Sequence, residues 1–329
     1  MAHWRPLIRN EVVKMLRKRR FLVVVLILAV LIPIFTYAHY TSSKTAEQQL
    51  GTQDWHALLQ QQIIDEQNRL GSSRLPATYR QSIQAEIQQQ QYYLNHNVNP
   101  AAPGAATFMR EFASETIALF LPMLIIVIGV DMVSSEWADG TIKLLLTRPV
   151  RRWQVLASKY IALVLLISLF VMIAGVLSCA ISGIAFGYGS WTLPIFVGFS
   201  APDATVQTVI HSVPQWQYII MSFGLAWYVC LAMGTISFLV SVLMRSGAAG
   251  MGIMMAALIA GNLLVQLASS WPTIKYVAFV NLQLTDYLTG TAPPVAGMTL
   301  PFSLGVLAAW AAASLAAAFW VFTRRDVLA

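Results

Sequence analysis

The sequence predicts an all-α membrane protein with six transmembrane helices, both termini cytoplasmic, and an extracytoplasmic helical insertion between helices 1 and 2. Three observations carry that expectation. Of 329 residues, 57% are hydrophobic and only 11% are charged, where a soluble domain carries roughly 25% charge. A mean hydropathy of +0.63 leaves more apolar surface than one soluble core can bury, so the excess faces lipid. The apolar residues also gather into six runs, each near the roughly 20 residues that a helix needs to cross a hydrocarbon layer about 30 Å thick.

The runs lie at 21–40, 112–134, 159–186, 216–244, 247–271 and 301–323. They are too long and too uniformly apolar for alternating barrel strands, and lipid offers backbone polar groups no partner outside a helix. With six spans the two termini share a side, and the basic residues choose it. Seven Lys and Arg fall in 1–20, five in 135–159, one at Arg245 and two at Arg324 and Arg325, fifteen on one side against six on the other. Five of those six lie in the long insertion, whose charge counts little toward topology. The net charge of +7 is therefore read as the positive-inside pattern of a multi-pass protein of the bacterial plasma membrane, and nucleic acid is excluded as a partner. A signal peptide is also excluded: the first apolar run exceeds the usual length, and no small-x-small site follows it.

Residues 1–20 place Trp4, Leu7, Ile8, Val12, Met15 and Leu16 at helical spacing, with Arg5, Arg9, Lys14 and Arg17 between them. That pattern predicts a cytoplasmic amphipathic helix lying in the headgroup layer, its cations against membrane lipid. The transmembrane domain follows over 21–329. Within it, residues 41–111 are polar and rich in Gln, yet Leu58, Leu59, Ile63, Ile64 and Leu70, then Tyr79, Ile83, Ile87 and Leu94, recur every three or four residues. This predicts a helical hairpin outside the membrane, punctuated by Gly71 and Pro76. A short apolar stretch within 272–300 is expected to form a re-entrant or interfacial helix. Small residues in the fifth and sixth spans suit close helix packing, within one subunit or between two.

Chemistry is sparse. Cys179 and Cys230 lie in apolar runs and behave as small hydrophobes. The histidines lack ligand spacing, and neither a GxSxG elbow nor a GxxxxGK(S/T) phosphate loop is present, so energy for any active process must come from another chain. Asp131 and Lys159, near the ends of the second and third spans, are read as hydrated charges at the interface, with a charge pair between them at the membrane boundary as the alternative. The loop between those spans, 135–158, is the informative segment. Trp137, Ile142 and Leu144 to Leu146 supply an apolar face, Gly140 permits a sharp turn, Thr141 caps and Pro149 stops a short helix, and Arg148, Arg151 and Arg152 add fixed charge. A helix tied at both ends to spans can pass a push inward.

This loop resembles that of permease subunits of the type 2 ATP-binding-cassette transporters, in which E, GT, LL, RP and R follow one another after the second of six spans. The match falls on Glu136, Gly140, Thr141, Leu144, Leu145, Arg148, Pro149 and Arg152, continued by Lys159 and Tyr160. Arg324, Arg325 and Asp326 after the last span and the basic helix before the first are similar too, while the 41–111 insertion resembles only a subset of bacterial members. The resemblance implies that 135–158 is a coupling helix docking on a separate ATPase subunit through Glu136, Asp139, Gly140, Thr141, Lys143, Leu144, Leu145, Arg148, Pro149, Arg151 and Arg152. It implies two copies of that ATPase, which hold ATP and Mg while this non-catalytic chain binds no cofactor of its own. It further implies a second permease chain, identical or homologous, and export of a peptide, an antibiotic or a lipid along the dimer interface. The competing reading is a membrane sensor or anchor whose outer hairpin binds a peptide and signals inward. An intramembrane enzyme is disfavoured by the lack of facing nucleophiles within the spans.

Overall fold

The computed structural model describes residues 4–50, 54–71, 77–138, 140, 151–198, 210–267, 271–291, 293, 295 and 297–324. Its described helices are α1 Trp4–Arg17, α2 Arg19–Leu50, α3 Trp55–Leu70, α4 Ala77–Asn95, α5 Ala105–Thr116, α6 Phe120–Ala138, α7 Arg152–Phe186, α8 Gln215–Leu243, α9 Gly247–Leu267, α10 Asp286–Thr289 and α11 Leu300–Arg324. Among the described residues six of these are long and apolar enough to cross a membrane: α2, α6, α7, α8, α9 and α11. The chain is a predominantly helical multi-pass membrane protein.

The spans divide by burial. α6 and α8 bury 72% and 67% of their spanning windows, whereas α2, α9 and α11 bury 28%, 22% and 17%, so the first two form the centre and the others present apolar faces outward. On α2, Val24, Leu28 and Ile32 are buried one turn apart, while Leu22, Leu26, Val30 and Ile34 are exposed. At 32 residues α2 is about 48 Å long, more than a hydrocarbon layer requires, and its polar end projects beyond it. Close approach of α6 and α8 depends on Gly129, where a Cβ would fall 1.9 Å from Ser237 Oγ. Ser241 Oγ then accepts hydrogen bonds from the amides of Val133 and Ser134 at 2.8 and 2.9 Å, pinning α8 to α6.

The helices depart from the expected spans at several points: α7 begins at Arg152 instead of 159, and α2 continues to Leu50 instead of ending at 40. The second span begins at Phe120 rather than 112, because turn residues 117–119 separate it from α5. Pro122 explains the break: it cannot donate to the carbonyl four residues back, and its ring crowds that carbonyl. The apolar stretch in 272–300 forms two 3₁₀ turns, Pro272–Tyr276 and Ala278–Val280, instead of an interfacial helix. Asn281 Nδ2 donates to the carbonyls of Lys275 and Val277, both at 2.8 Å, satisfying backbone that a longer helix would have paired internally.

The 41–111 insertion contains α3 and α4 as a packed hairpin, with Ile63 against Ile83 and Ile87. Asp54 caps α3 by accepting from the His56 amide at 3.0 Å. Ile64, assigned to the same stripe from its spacing, is exposed instead. An unanticipated contact fixes the hairpin: strands β1 Pro194–Val197 and β2 His211–Pro214 pair antiparallel in the α7–α8 connection. Tyr93 Oη accepts from the Phe196 amide at 3.1 Å, and Leu59, Tyr93 and Phe196 share a small core.

Candidate functional site

At one end of the spans, α1 lies against α6 and α7, and charged side chains fill the seam. Lys159 is 1% exposed, and its Nζ donates to Glu11 Oε2 at 2.8 Å and to Glu136 Oε1 at 2.6 Å. Lys14 Nζ donates to the same Glu136 oxygen at 2.6 Å. Two ammoniums thus meet two carboxylates across three helices, and the cluster is neutral. A second knot lies beside it. Asp131 Oδ2 accepts from Lys18 Nζ at 3.0 Å, its Oδ1 accepts from Arg20, and Lys18 also donates to Ser135 Oγ at 2.7 Å.

The register along α1 and α6 accounts for this. Glu11 and Lys14 share one face of α1, and Lys18 follows four residues on, in the bend just past its end, so each meets a carboxylate or ammonium of α6 or α7 in turn. Asp131 and Glu136 are five residues apart on α6, which turns them about 140° from each other around the helix. Both readings of Asp131 and Lys159, as hydrated charges and as an Asp131–Lys159 pair, are therefore corrected: the two are buried, and Lys159 reaches Glu136 and Glu11, while Asp131 faces the start of α2. Paired in this way, the buried charges avoid the several kcal/mol that each uncompensated ion would cost.

Glu136 also departs from the role that the resemblance gave it. It is 2% exposed, and its Oε1 accepts from both Lys14 and Lys159, so it lies beneath the loop and not on the surface of this chain. Gly140 is exposed with φ +67°, and its amide donates to the Trp137 carbonyl at 3.2 Å, ending α6 with a left-handed turn that favours glycine. Arg151 is exposed and is the N-cap of α7, its amide donating to Gln154 Oε1 at 3.2 Å; Arg152 is half-buried. Asp139, Thr141, Lys143, Leu144, Leu145, Arg148 and Pro149 lie outside the described residues, as do Arg325 and Asp326. The two ends of the 139–150 loop are accordingly cross-tied: Glu136 on the way out is bonded to Lys159 on the way back, and both are bonded to α1. Two aromatic contacts brace the base. The rings of Trp4 and Trp153 have centroids 5.4 Å apart, joining α1 to the first turn of α7, and the Arg245 guanidinium lies 5.6 Å from the Trp137 ring centroid.

Sequence reasoning missed Glu11, Lys14, Lys18 and Arg20 as partners, treating the basic ones as topogenic charge. A signal was present in Glu11, the lone acid among seven cations in residues 1–20. A carboxylate placed there on a membrane-surface helix calls for a buried cation.

A second group of charges lies at the far ends of the helices. Glu111 is paired with His39 at 3.0 Å and with Arg110 at 3.2 Å. Burial alone would push the Glu111 carboxyl up, yet the His39 hydrogen bond and the Arg110 charge hold it below its usual range. Nearby, a cavity of about 270 Å³ is lined by Glu86, Gln89, Ser114, Asp286 and Thr289. Burial pushes Asp286 up to about 6, against a lowering hydrogen bond from Gln283, and burial with the Glu66 charge raises Glu86. Among the described residues no three His, Cys, Asp or Glu side chains are grouped to hold a metal ion.

Two bacterial relatives place the chain. It is 30% identical over 238 residues, 72% of this chain and 74% of the relative, to the "Uncharacterized protein YhcI" of Bacillus subtilis (strain 168). It is 28% identical over 216 residues, 64% of this chain and 80% of the relative, to the "Uncharacterized membrane protein YdbK" of the same organism. Residues 79–328, which carry α6, α7, Asp131, Glu136 and Lys159, match a family described as "Protein of unknown function (DUF2705)", and the chain belongs to that family.

Proposed function

We propose that this chain is the transmembrane permease subunit of an ATP-binding-cassette exporter in the bacterial plasma membrane, with both termini cytoplasmic. In this reading two permease chains, identical or homologous, form the translocation route, and each is worked by a separate ATPase subunit that holds ATP and Mg. The cargo class is a peptide, an antibiotic or a lipid. The observation that carries the reading is the neutral, buried cluster of Glu11, Lys14, Glu136 and Lys159. It turns the base of the 139–150 loop into one rigid piece with α1, so a force on the loop moves α1, α6 and α7 together instead of being lost in local bending. The docking surface is the loop itself with Arg151 and Arg152, and the charge cluster transmits rather than touches.

The basic residues at this end of the spans support a cytoplasmic placement, and the weakly buried α9 and α11 offer faces for a second copy. The test is co-purification. The tagged chain drawn from its native membrane carries with it an ATPase bearing a phosphate loop, and deletion of 139–150 removes that ATPase while the chain still inserts. Retention of the ATPase by the deletion variant, or absence of any such ATPase from the wild-type preparation, overturns the proposal.

A further inference from the structure

We propose that the cleft between the start of α2, the end of α6 and the start of α9 binds the phosphate of an anionic membrane lipid. This does not rest on the transport reading above. The cleft holds about 280 Å³ and is lined by Lys18, Arg19, Arg20, Asp131, Ser135 and Gly247. Its volume is at the lower end for small-molecule sites, roughly 300 Å³, which suits a headgroup phosphate rather than a whole lipid.

Charge selects an anion. Asp131 is buried and its two oxygens are taken by Lys18 and Arg20, which orders both cations at the cleft wall before any ligand arrives. One carboxylate offsets one cation, so the three leave two positive charges in excess. Arg19 is exposed and, among the described residues, makes no ion pair. Its planar fork matches two phosphate oxygens. Gly247 keeps the wall open: a Cβ there would meet Ser134 Oγ at 3.1 Å and Arg20 Nη1 at 3.6 Å. The start of α9 adds the positive end of a 21-residue helix to the same wall.

Position selects a lipid. The cleft residues stand at the ends of three membrane-crossing helices, the level at which headgroups lie. Deeper along the same helices, Leu22, Val23 and Leu26 of α2 and Ile253 of α9 are exposed and apolar, a surface that acyl chains cover and a free phosphate does not.

The full-length protein is purified in detergent, supplied with phosphatidylglycerol, phosphatidylcholine or inorganic phosphate, and examined by native mass spectrometry. Wild type retains phosphatidylglycerol over phosphatidylcholine, and inorganic phosphate at the same concentration does not displace it. Arg19→Gln lowers that retention by about fivefold, and Arg19→Gln/Arg20→Gln by more, at roughly 1 kcal/mol per cation. Arg69→Gln, which removes an exposed cation of α3 in the hairpin, changes it less than twofold. Should the double cleft variant fail to fold, Asp131→Asn, which uncovers a cation, raises retention instead. No preference for the anionic lipid, displacement by inorganic phosphate, equal loss in the Arg69 control, or unchanged retention in Arg19→Gln and Asp131→Asn overturns the proposal.

Discussion

Removing Lys159 tests whether the charge cluster is a structural strut. Lys159→Met keeps the aliphatic length of the side chain but takes from Glu11 and Glu136, 8% and 3% exposed at their side chains, the ammonium that bridges them, leaving Lys14 on Glu136 as the one cation for two carboxylates. Breaking a buried pair on one side costs about 3–5 kcal/mol. For a chain of this size that corresponds to a melting temperature lower by roughly 5–10 °C, read by tryptophan fluorescence of the protein in detergent. The magnitude separates this pair from a surface one. Arg69 and Glu66 are bonded at 2.8 Å, but the Arg69 side chain is 58% exposed, so Arg69→Ala shifts the midpoint by about 1 °C or less. The sharper arm is Glu11→Gln/Lys159→Met. Removing one charge of each sign leaves Lys14 and Glu136 as a balanced pair, so the double variant recovers at least half of the loss. A single variant within 2 °C of wild type, or a double variant whose loss is the sum of its parts, refutes the reasoning.

Two further outcomes follow from the packing and the outer cavity. Gly129→Ala drives a Cβ into Ser237 Oγ and destabilises by about 1–3 kcal/mol; Ser237→Gly in the same chain relieves it, and thermal melts of the two variants read both. Asp286, pushed up to about 6 by burial, favours the fold most when protonated: its contribution is complete below the ordinary aspartate range and is lost as pH rises through about 6. The melting temperature therefore falls between pH 5 and 7 by more in wild type than in Asp286→Asn, and identical profiles count against the burial argument.

The spans were legible because lipid demands length and continuous apolarity, and runs such as 159–186 and 216–244 have both. The start of the second span was not, because α5 is itself apolar enough to extend the run, and only Pro122 marks the break. Four-residue strands such as Pro194–Val197 carry too little periodicity to register, so the tie between the insertion and the α7–α8 connection came only with the fold. In the candidate site, the sequence showed which charges lie near the membrane boundary but not which pair. Glu11 and Lys159 are 148 residues apart, and Lys14 and Glu136 are 122 apart. Nothing local says that α1 is laid across the ends of α6 and α7. Once it is, helical geometry decides that Asp131 turns away from Lys159.

The most direct measurement is site-specific photocross-linking in the native membrane, with the probe placed at Leu145 in the loop or at Ile64 on the exposed face of the insertion. The account predicts that Leu145 captures an ATPase bearing a phosphate loop, that Ile64 does not, and that the Lys159→Met variant keeps the cross-link while losing transport-coupled ATP hydrolysis. An ATPase captured from elsewhere on this chain with the loop left bare, or full coupling in the Lys159→Met variant, would contradict it.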